Sequence, residues 1–231
     1  MSYVIAPLPQ ACVPVRGSDA LFPVHRIYCV GRNYAAHARE MGFTGREPPF
    51  FFMKPADAVV PAGPDSSARM AYPPLTQDLH HEVELVVAIG KGGRDIAAAD
   101  APSHVWGYAV GLDMTRRDLQ AEMKKQGRPW CIAKGFDASA PIGALTPAAQ
   151  AGAIDKAGIW LQVNGQERQR SSIDQLIWSV AETIEHLSRA WQLQPGDLIF
   201  TGTPEGVAAV QPGDTLEAGI DGLAPLRLHV A

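Results

Sequence analysis

Two histidines and two glutamates stand within five residues at His80-His81-Glu82-Val83-Glu84, at the head of an apolar run that reaches Ile89. In an extended chain side chains alternate, so Glu82 and Glu84 share one face while Val83, Leu85, Val87 and Ile89 share the other. At roughly 3.3 Å of rise per residue, the two Cα atoms lie roughly 6.5–7 Å apart. Carboxylates at that spacing repel unless a cation lies between them; otherwise the strand simply turns one wet face to solvent. Asp113 closes a second apolar run, Val105–Leu112. It serves either as the N-cap of the following helix or as a third carboxylate. Three oxygen donors favour Mg²⁺, Mn²⁺ or Ca²⁺ over zinc or copper. A zinc-protease pattern is excluded, because no second histidine follows at the fourth position after His81.

His37 and Glu40 lie three residues apart on an expected helix and are neighbours on its surface. A histidine oriented by a carboxylate is a usable general base, although such a pair also occurs as a plain surface salt link. Arg117 and Gln120 have the same spacing on a later helix; nearby Lys124, Lys125 and Arg128 read as a solvated face. Lys134 sits in the otherwise apolar Cys131-Ile132-Ala133-Lys134-Gly135-Phe136, where a desolvated ammonium is aimed at a substrate. In Thr201-Gly202-Thr203-Pro204-Glu205-Gly206 the glycines allow backbone N–H groups to approach a carboxylate closely. No GxSxG, GxxxxGK[ST] or GxGxxG pattern is present.

The elements that must position these groups are mostly short β-like runs: Ile27–Gly31, Ala58–Val60, Glu82–Ile89, Val105–Leu112, Ile159–Val163, Leu198–Thr201 and Leu226–Val230. Asn164-Gly165 marks a two-residue hairpin, and Pro195-Gly196-Asp197 and Pro212-Gly213-Asp214 are turns into strands. Residues 61–78 read as a long loop. Helices are expected from Asn33 through Met41, from Thr115 to Gln126 and from Ser172 to Trp191. The last shows apolar residues at i, i+3, i+4 and i+7. Many short strands with a few helices indicate an α+β protein with a mixed sheet.

The 231 residues suit one large domain, 46% of them are apolar, and the net charge is -4. That charge gives no reason to expect nucleic acid or an anionic membrane as a partner. Cys12, Cys29 and Cys131 are too few and too irregularly spaced for a disulfide framework or a zinc site. The N-terminus lacks the pattern of a signal peptide, and no run of about 18 apolar residues exists, so a reducing cytoplasm is the expected compartment.

Taken together the segments resemble the fumarylacetoacetate hydrolase family. They are Val30-Gly31-Arg32-Asn33-Tyr34 with His37 and Glu40, Phe52-Met53-Lys54-Pro55, Glu82-Val83-Glu84, Gly111 to Gln120, Lys134-Gly135-Phe136-Asp137, Val163-Asn164-Gly165, and Thr201 to Val207. The order is the family's, from about Val24 onward, which leaves residues 1–23 as a short N-terminal appendage to a catalytic domain at 24–231. The resemblance implies a mixed β-sandwich roll with flanking helices, as a homodimer. It implies metal ligation by Glu82, Glu84 and Asp113, preferentially of Mg²⁺, a catalytic set of His37, Glu40 and Lys134, and substrate contacts from Arg32, Arg117, Gln120, Gly202 and Thr203. The implied activity is hydrolysis of a carbon–carbon bond in a small 2,4-dioxo acid, with fumarylpyruvate the first choice. Alternatives are oxaloacetate decarboxylation, isomerisation of unsaturated dioxo acids, or metal-dependent binding of oxo acids without turnover. Trp106, Trp130 and Trp178, if exposed, would add support for a dimer.

Overall fold

The computed structural model describes residues 2–35 and 46–231. The expected helix from Asn33, with His37 and Glu40, therefore lies largely outside the described residues. Val83–Ile89 and Val105–Leu112 form the antiparallel centre of the larger sheet, with Glu84 opposite Gly111. Leu198–Phe200 lies on the other side of Val83–Ile89, antiparallel to it and parallel to Ile27–Gly31, which pairs with Phe50–Lys54. Ala140–Ile142 follows Val105–Leu112 and pairs parallel with Val59–Pro61. A second sheet runs Gln166–Ser172, Gly158–Val163, Thr215–Ile220, Leu226–Val230 and Ala68–Met70. The last of these strands lies within the segment expected to be a loop. Its alternation is short, and its partner Leu226–Val230 is more than 150 residues away, so pairing rather than local sequence creates it.

The two sheets curl against each other as a mixed sandwich roll. Val83, Leu85, Val87 and Ile89 of the first pack with Ile159, Leu161, Leu216 and Leu228 of the second in one apolar cluster. The opposite face, Val86 and Ala88, joins Ile27, Cys29, Phe200 and the N-terminal residues Val13 and Phe22. Val83–Ile89 is thus buried on both faces, and the reading of one wet face is excluded. Gly111 is required by this packing: a Cβ there would stand 2.5 Å from Val86 Cγ2 and 2.6 Å from Phe200 Cε1.

Asn164 and Gly165 both take positive φ, 51° and 76°, and join Gly158–Val163 to Gln166–Ser172 as the expected hairpin. The helix expected from Ser172 begins only at Val180 and ends at Ala190. The residues before it are a strand end, a short 3-10 turn at Ile173–Gln175 and an extended stretch. Asn33 accounts for the late start. Its side chain accepts from Trp178 N at 2.8 Å and donates to Trp178 O at 2.9 Å, holding the chain out of helix. Ser179 and Glu182 then form a reciprocal capping box. Among the described residues no helix is long and apolar enough to cross a membrane.

Candidate metal centre

Glu82, Glu84 and Asp113 converge at one end of the central strand pair. Glu82 immediately precedes the strand Val83–Ile89, Glu84 is its second residue, and Asp113 follows Val105–Leu112, tied across by Asp113 N donating to Glu82 O at 2.9 Å. Each carboxylate offers an oxygen within 4.8 Å of the others. They are 5%, 2% and 0% exposed. Asp113 caps no helix: the next one, Arg117–Lys125, begins four residues on, after a short strand at Thr115–Arg116. Its carboxylate points instead at two lysines.

Those lysines are Lys134 and Lys54, both 2% exposed. Lys134 closes the short helix Cys131–Lys134 and donates to Asp113 Oδ2 at 2.6 Å and Glu82 Oε2 at 2.9 Å. Lys54 ends the strand Phe50–Lys54; its Nζ lies 2.7 Å from Asp113 Oδ1 and donates to Met114 O at 3.2 Å and also to Lys134 O. Asp113 Oδ1 receives no well-directed hydrogen bond, so the Lys54 contact is an ion pair alone. Arg117 donates to Glu82 Oε1 and to Gln120 Oε1, and its Nε faces His80 Nδ1 at 3.4 Å. His80 Nε2 is held by Asp78 at 2.8 Å. Gln120 is buried on the helix face turned to the site.

Burial pushes the Glu84 carboxyl well above its ordinary range, and Asp113 and Glu82 add to the shift. Burial lowers the pKa of Lys134, but Asp113 and Glu82 outweigh it, so the ammonium is held above its usual value. The Lys134 charge offsets part of the Glu84 shift, and so does Gly202 N, which donates to Glu84 Oε2 at 2.8 Å. Gly202 needs to be glycine: its φ is +103°, and a Cβ would stand 2.7 Å from Asn33 Cβ. The amide expected to meet a substrate is thus committed to orienting a carboxylate.

Thr203, Arg32, Arg117 and Gln120 line the same pocket as the three carboxylates and Lys134, closed on one side by Phe50, Phe52 and Trp130. Trp130 meets Phe50 and Phe52 edge-on at 5.5 and 6.0 Å. Arg32 takes a positive φ of 57° and places its guanidinium 5.4 Å from the Phe50 ring. Nine of the eleven expected site residues are therefore brought together, and His37 and Glu40 lie outside the described residues. Two residues to which the sequence alone assigns no role join the site, Lys54 and His80. Both stand in stretches that the sequence marks, Lys54 at the end of an apolar run just before a proline and His80 at the head of the His80–Glu84 stretch. Trp106 packs on Phe22, Trp130 on the site's phenylalanines and Trp178 under Arg46, all half-buried within the chain.

Three buried carboxylates, all hard oxygen donors with an oxygen each within 4.8 Å of the others, fit a divalent metal ion. Residues 26–231 match the family described as fumarylacetoacetate (FAA) hydrolase, C-terminal. The chain belongs to the fumarylacetoacetate hydrolase family. Within it, the chain is similar to the crystal structure of fumarylpyruvate hydrolase from Pseudomonas aeruginosa in complex with Mn²⁺ and pyruvate. The two share 61% identity and a TM-score of 0.97 over 100% of this chain and 99% of the other. It is 44% identical over 204 residues, 88% of this chain and 90% of the other, to the mitochondrial oxaloacetate tautomerase FAHD1 of Rattus norvegicus. To the mitochondrial oxaloacetate decarboxylase of Dictyostelium discoideum it is 41% identical over 198 residues, 86% of this chain and 89% of the relative. The Mn²⁺ of the Pseudomonas aeruginosa structure and the carboxylate cluster of this chain together support a divalent metal as its cofactor.

Proposed function

We propose that this enzyme hydrolyses the carbon–carbon bond of an acylpyruvate, with fumarylpyruvate the preferred substrate and fumarate and pyruvate the products. One observation carries the reading: a buried three-carboxylate cluster bridged by Lys134, in a chain 61% identical along its whole length to a fumarylpyruvate hydrolase solved with Mn²⁺ and pyruvate. Glu82, Glu84 and Asp113 would hold the ion, Mg²⁺ by preference, with Mn²⁺ or Ca²⁺ as substitutes. When bound, the ion supplies Lewis-acid polarisation of the oxo-acid end of the substrate. Lys54, Lys134 and Arg117 pair with Glu82 and Asp113, and Arg32 lines the same pocket. A divalent cation then makes the pocket net positive, which suits a doubly anionic substrate.

The chain's own groups do the rest. Arg117, Gln120, Thr203 and Arg32 orient the substrate's carboxylates and oxo groups, and the Phe50, Phe52 and Trp130 wall excludes water from the acyl chain. His37, oriented by Glu40, takes a proton from water as the oxygen adds to the distal carbonyl carbon. The bond between that carbon and the neighbouring methylene breaks, and its electron pair passes into pyruvate as the enolate. The Lys134 ammonium stabilises that negative charge, and the proton taken up by His37 passes to the former methylene carbon to complete pyruvate. A second reading, action on oxaloacetate, is favoured by the tautomerase and decarboxylase relatives at 41–44% identity. It shares the oxo-acid grip and needs no hydrolytic water. A cytoplasmic homodimer is the setting we infer from the family resemblance and from three cysteines that are all free.

Turnover of fumarylpyruvate and oxaloacetate, compared in wild type and His37→Ala, separates the readings. Hydrolysis should fall by roughly 10²–10⁴-fold in the variant, the usual contribution of a general base. Wild-type protein that turns over oxaloacetate and leaves fumarylpyruvate untouched would replace the first reading by the second.

A further inference from the structure

Behind the substrate pocket, on the strand Gln166–Ser172, one side chain breaks the pattern of its exposed neighbours. Gln169 is 1% exposed and reaches across to the loop that carries Thr203. Its amide makes four contacts: Oε1 accepts from Val83 N at 3.1 Å and meets His81 Nδ1 at 2.9 Å, while Nε2 donates to Pro204 O at 2.9 Å and meets Thr203 Oγ1 at 2.8 Å. Two of these partners are backbone groups that have no choice. Val83 N–H can only donate and the Pro204 carbonyl can only accept, so the amide cannot be turned over. The other two contacts are then determined. His81 must carry its proton on Nδ1. Thr203 Oγ1 must accept, and its own hydrogen must leave in another direction. Among the described residues that hydrogen has no acceptor in the protein. Thr203 lines the pocket with Glu82, Glu84, Asp113 and Lys134.

We infer that Gln169 is a positioning residue that fixes Thr203 as a hydrogen-bond donor to an anionic oxygen of the bound oxo acid. This rests on the proposed oxo-acid reading of the site. The backbone of Val83, one residue from two of the carboxylates, sets the amide; the amide sets the hydroxyl; and the hydroxyl presents a donor where a carboxylate or oxo group arrives. A glutamate at 169 would reverse the last step. It accepts from Val83 N and His81, leaves the Pro204 carbonyl without its donor, and accepts from Thr203, whose hydrogen is then drawn away from the pocket and whose lone pairs face the ligand.

The test is a double-mutant cycle on pyruvate binding to the Mn²⁺-loaded protein, read by calorimetry, with Mn²⁺ affinity measured separately. Gln169→Glu and Thr203→Val should each weaken pyruvate binding tenfold or more, the scale of a hydrogen bond to a charged group, roughly 10–150-fold. Mn²⁺ affinity should stay within about twofold, because neither side chain is a ligand. The double variant should bind no more weakly than Thr203→Val alone, since the two act through one hydroxyl. Gln169→Met, which removes the amide without adding a charge, repeats the cycle if the glutamate variant does not fold; it should give a smaller loss that also vanishes on the Thr203→Val background. Losses that add in the double variant, or pyruvate binding unchanged in Gln169→Glu, overturn the inference. Wild-type protein that binds Mn²⁺ but no pyruvate overturns the oxo-acid reading itself, and the inference with it.

Discussion

Lys134 sits where a positive charge is both costly and needed: it is buried, yet it touches two of the three carboxylates. Removing one partner of a buried ion pair leaves the other uncompensated, typically at about 3–5 kcal/mol. Lys134→Met should therefore lower the unfolding free energy of the metal-free protein by about that much. It should also tighten Mn²⁺ binding, because the ion no longer competes with the ammonium for Glu82 and Asp113. Turnover should still fall, by about 2.7–4 kcal/mol of barrier, since the fixed cation is gone. Denaturant curves with and without Mn²⁺, beside kinetics, check all three; weaker Mn²⁺ binding in the variant would contradict the electrostatic argument. His81, fully buried, provides a second test. Burial drives its pKa down from 6.5 to about 4, the Gln169 contact offsetting only part of this. Its folded value lies below its unfolded value, so its contribution is fully present above pH 6.5 and is lost as pH falls toward 4. The full swing is worth about 3 kcal/mol. Urea midpoints should fall more steeply between those limits in wild type than in His81→Asn, whose side chain does not titrate.

At the scale of elements, what could be read in advance was what depends on local pattern. The alternation that puts Val83, Leu85, Val87 and Ile89 on one face is the alternation that packs, and Asn164-Gly165 turns where its φ preferences require. The carboxylates of Glu82 and Glu84 were legible for the same reason. The helix expected from Ser172 was too long because an apolar stripe at helical spacing also fits Ile173, Leu176 and Ile177, which are buried or half-buried in a short 3-10 turn and the extended stretch after it. What decides there is Asn33, about 145 residues away, gripping Trp178. Gln169 was invisible because its neighbours Gln166, Glu167, Arg168 and Arg170 are all polar; nothing in the sequence marks the one that turns inward. The true start of the helix makes its own prediction. Ser179→Ala removes the side-chain acceptor for Glu182 N and half of the capping box. It should cost about 1 kcal/mol, within the usual 0.5–2 for such caps. An unchanged urea midpoint would mean that Asn33, rather than the cap, fixes where the helix begins.

For the whole molecule, the proposed metal centre lies where separate parts of the chain meet, so metal binding there would be coupled to stability. Glu82 and Glu84 flank the first residue of one central strand, Asp113 follows the end of its neighbour, and Gly202, which holds Glu84, comes from the loop after Leu198–Phe200. Unfolding separates these pieces, and a divalent ion that binds only the assembled site stabilises the fold by mass action. At a free concentration one hundred times its dissociation constant this amounts to about 2.7 kcal/mol. For a domain of this size each kcal/mol moves the melting temperature by about 2–4 °C, so saturating Mn²⁺ or Mg²⁺ should raise it by roughly 5–10 °C. EDTA should abolish both that increment and turnover, and readdition of the ion should restore both. Asp113→Asn should lose the increment, because a neutral amide replaces the ligand that Lys54 and Lys134 share. The direction in the metal-free state is the sharper measurement. Asp113→Asn takes from Lys54 its ion-pair partner and from Lys134 one of its two, so the variant should melt below metal-free wild type and gain nothing from Mn²⁺. If it melts as wild type does and still responds to the ion, the three carboxylates are not the metal site, and the charge balance derived for the pocket is wrong with it.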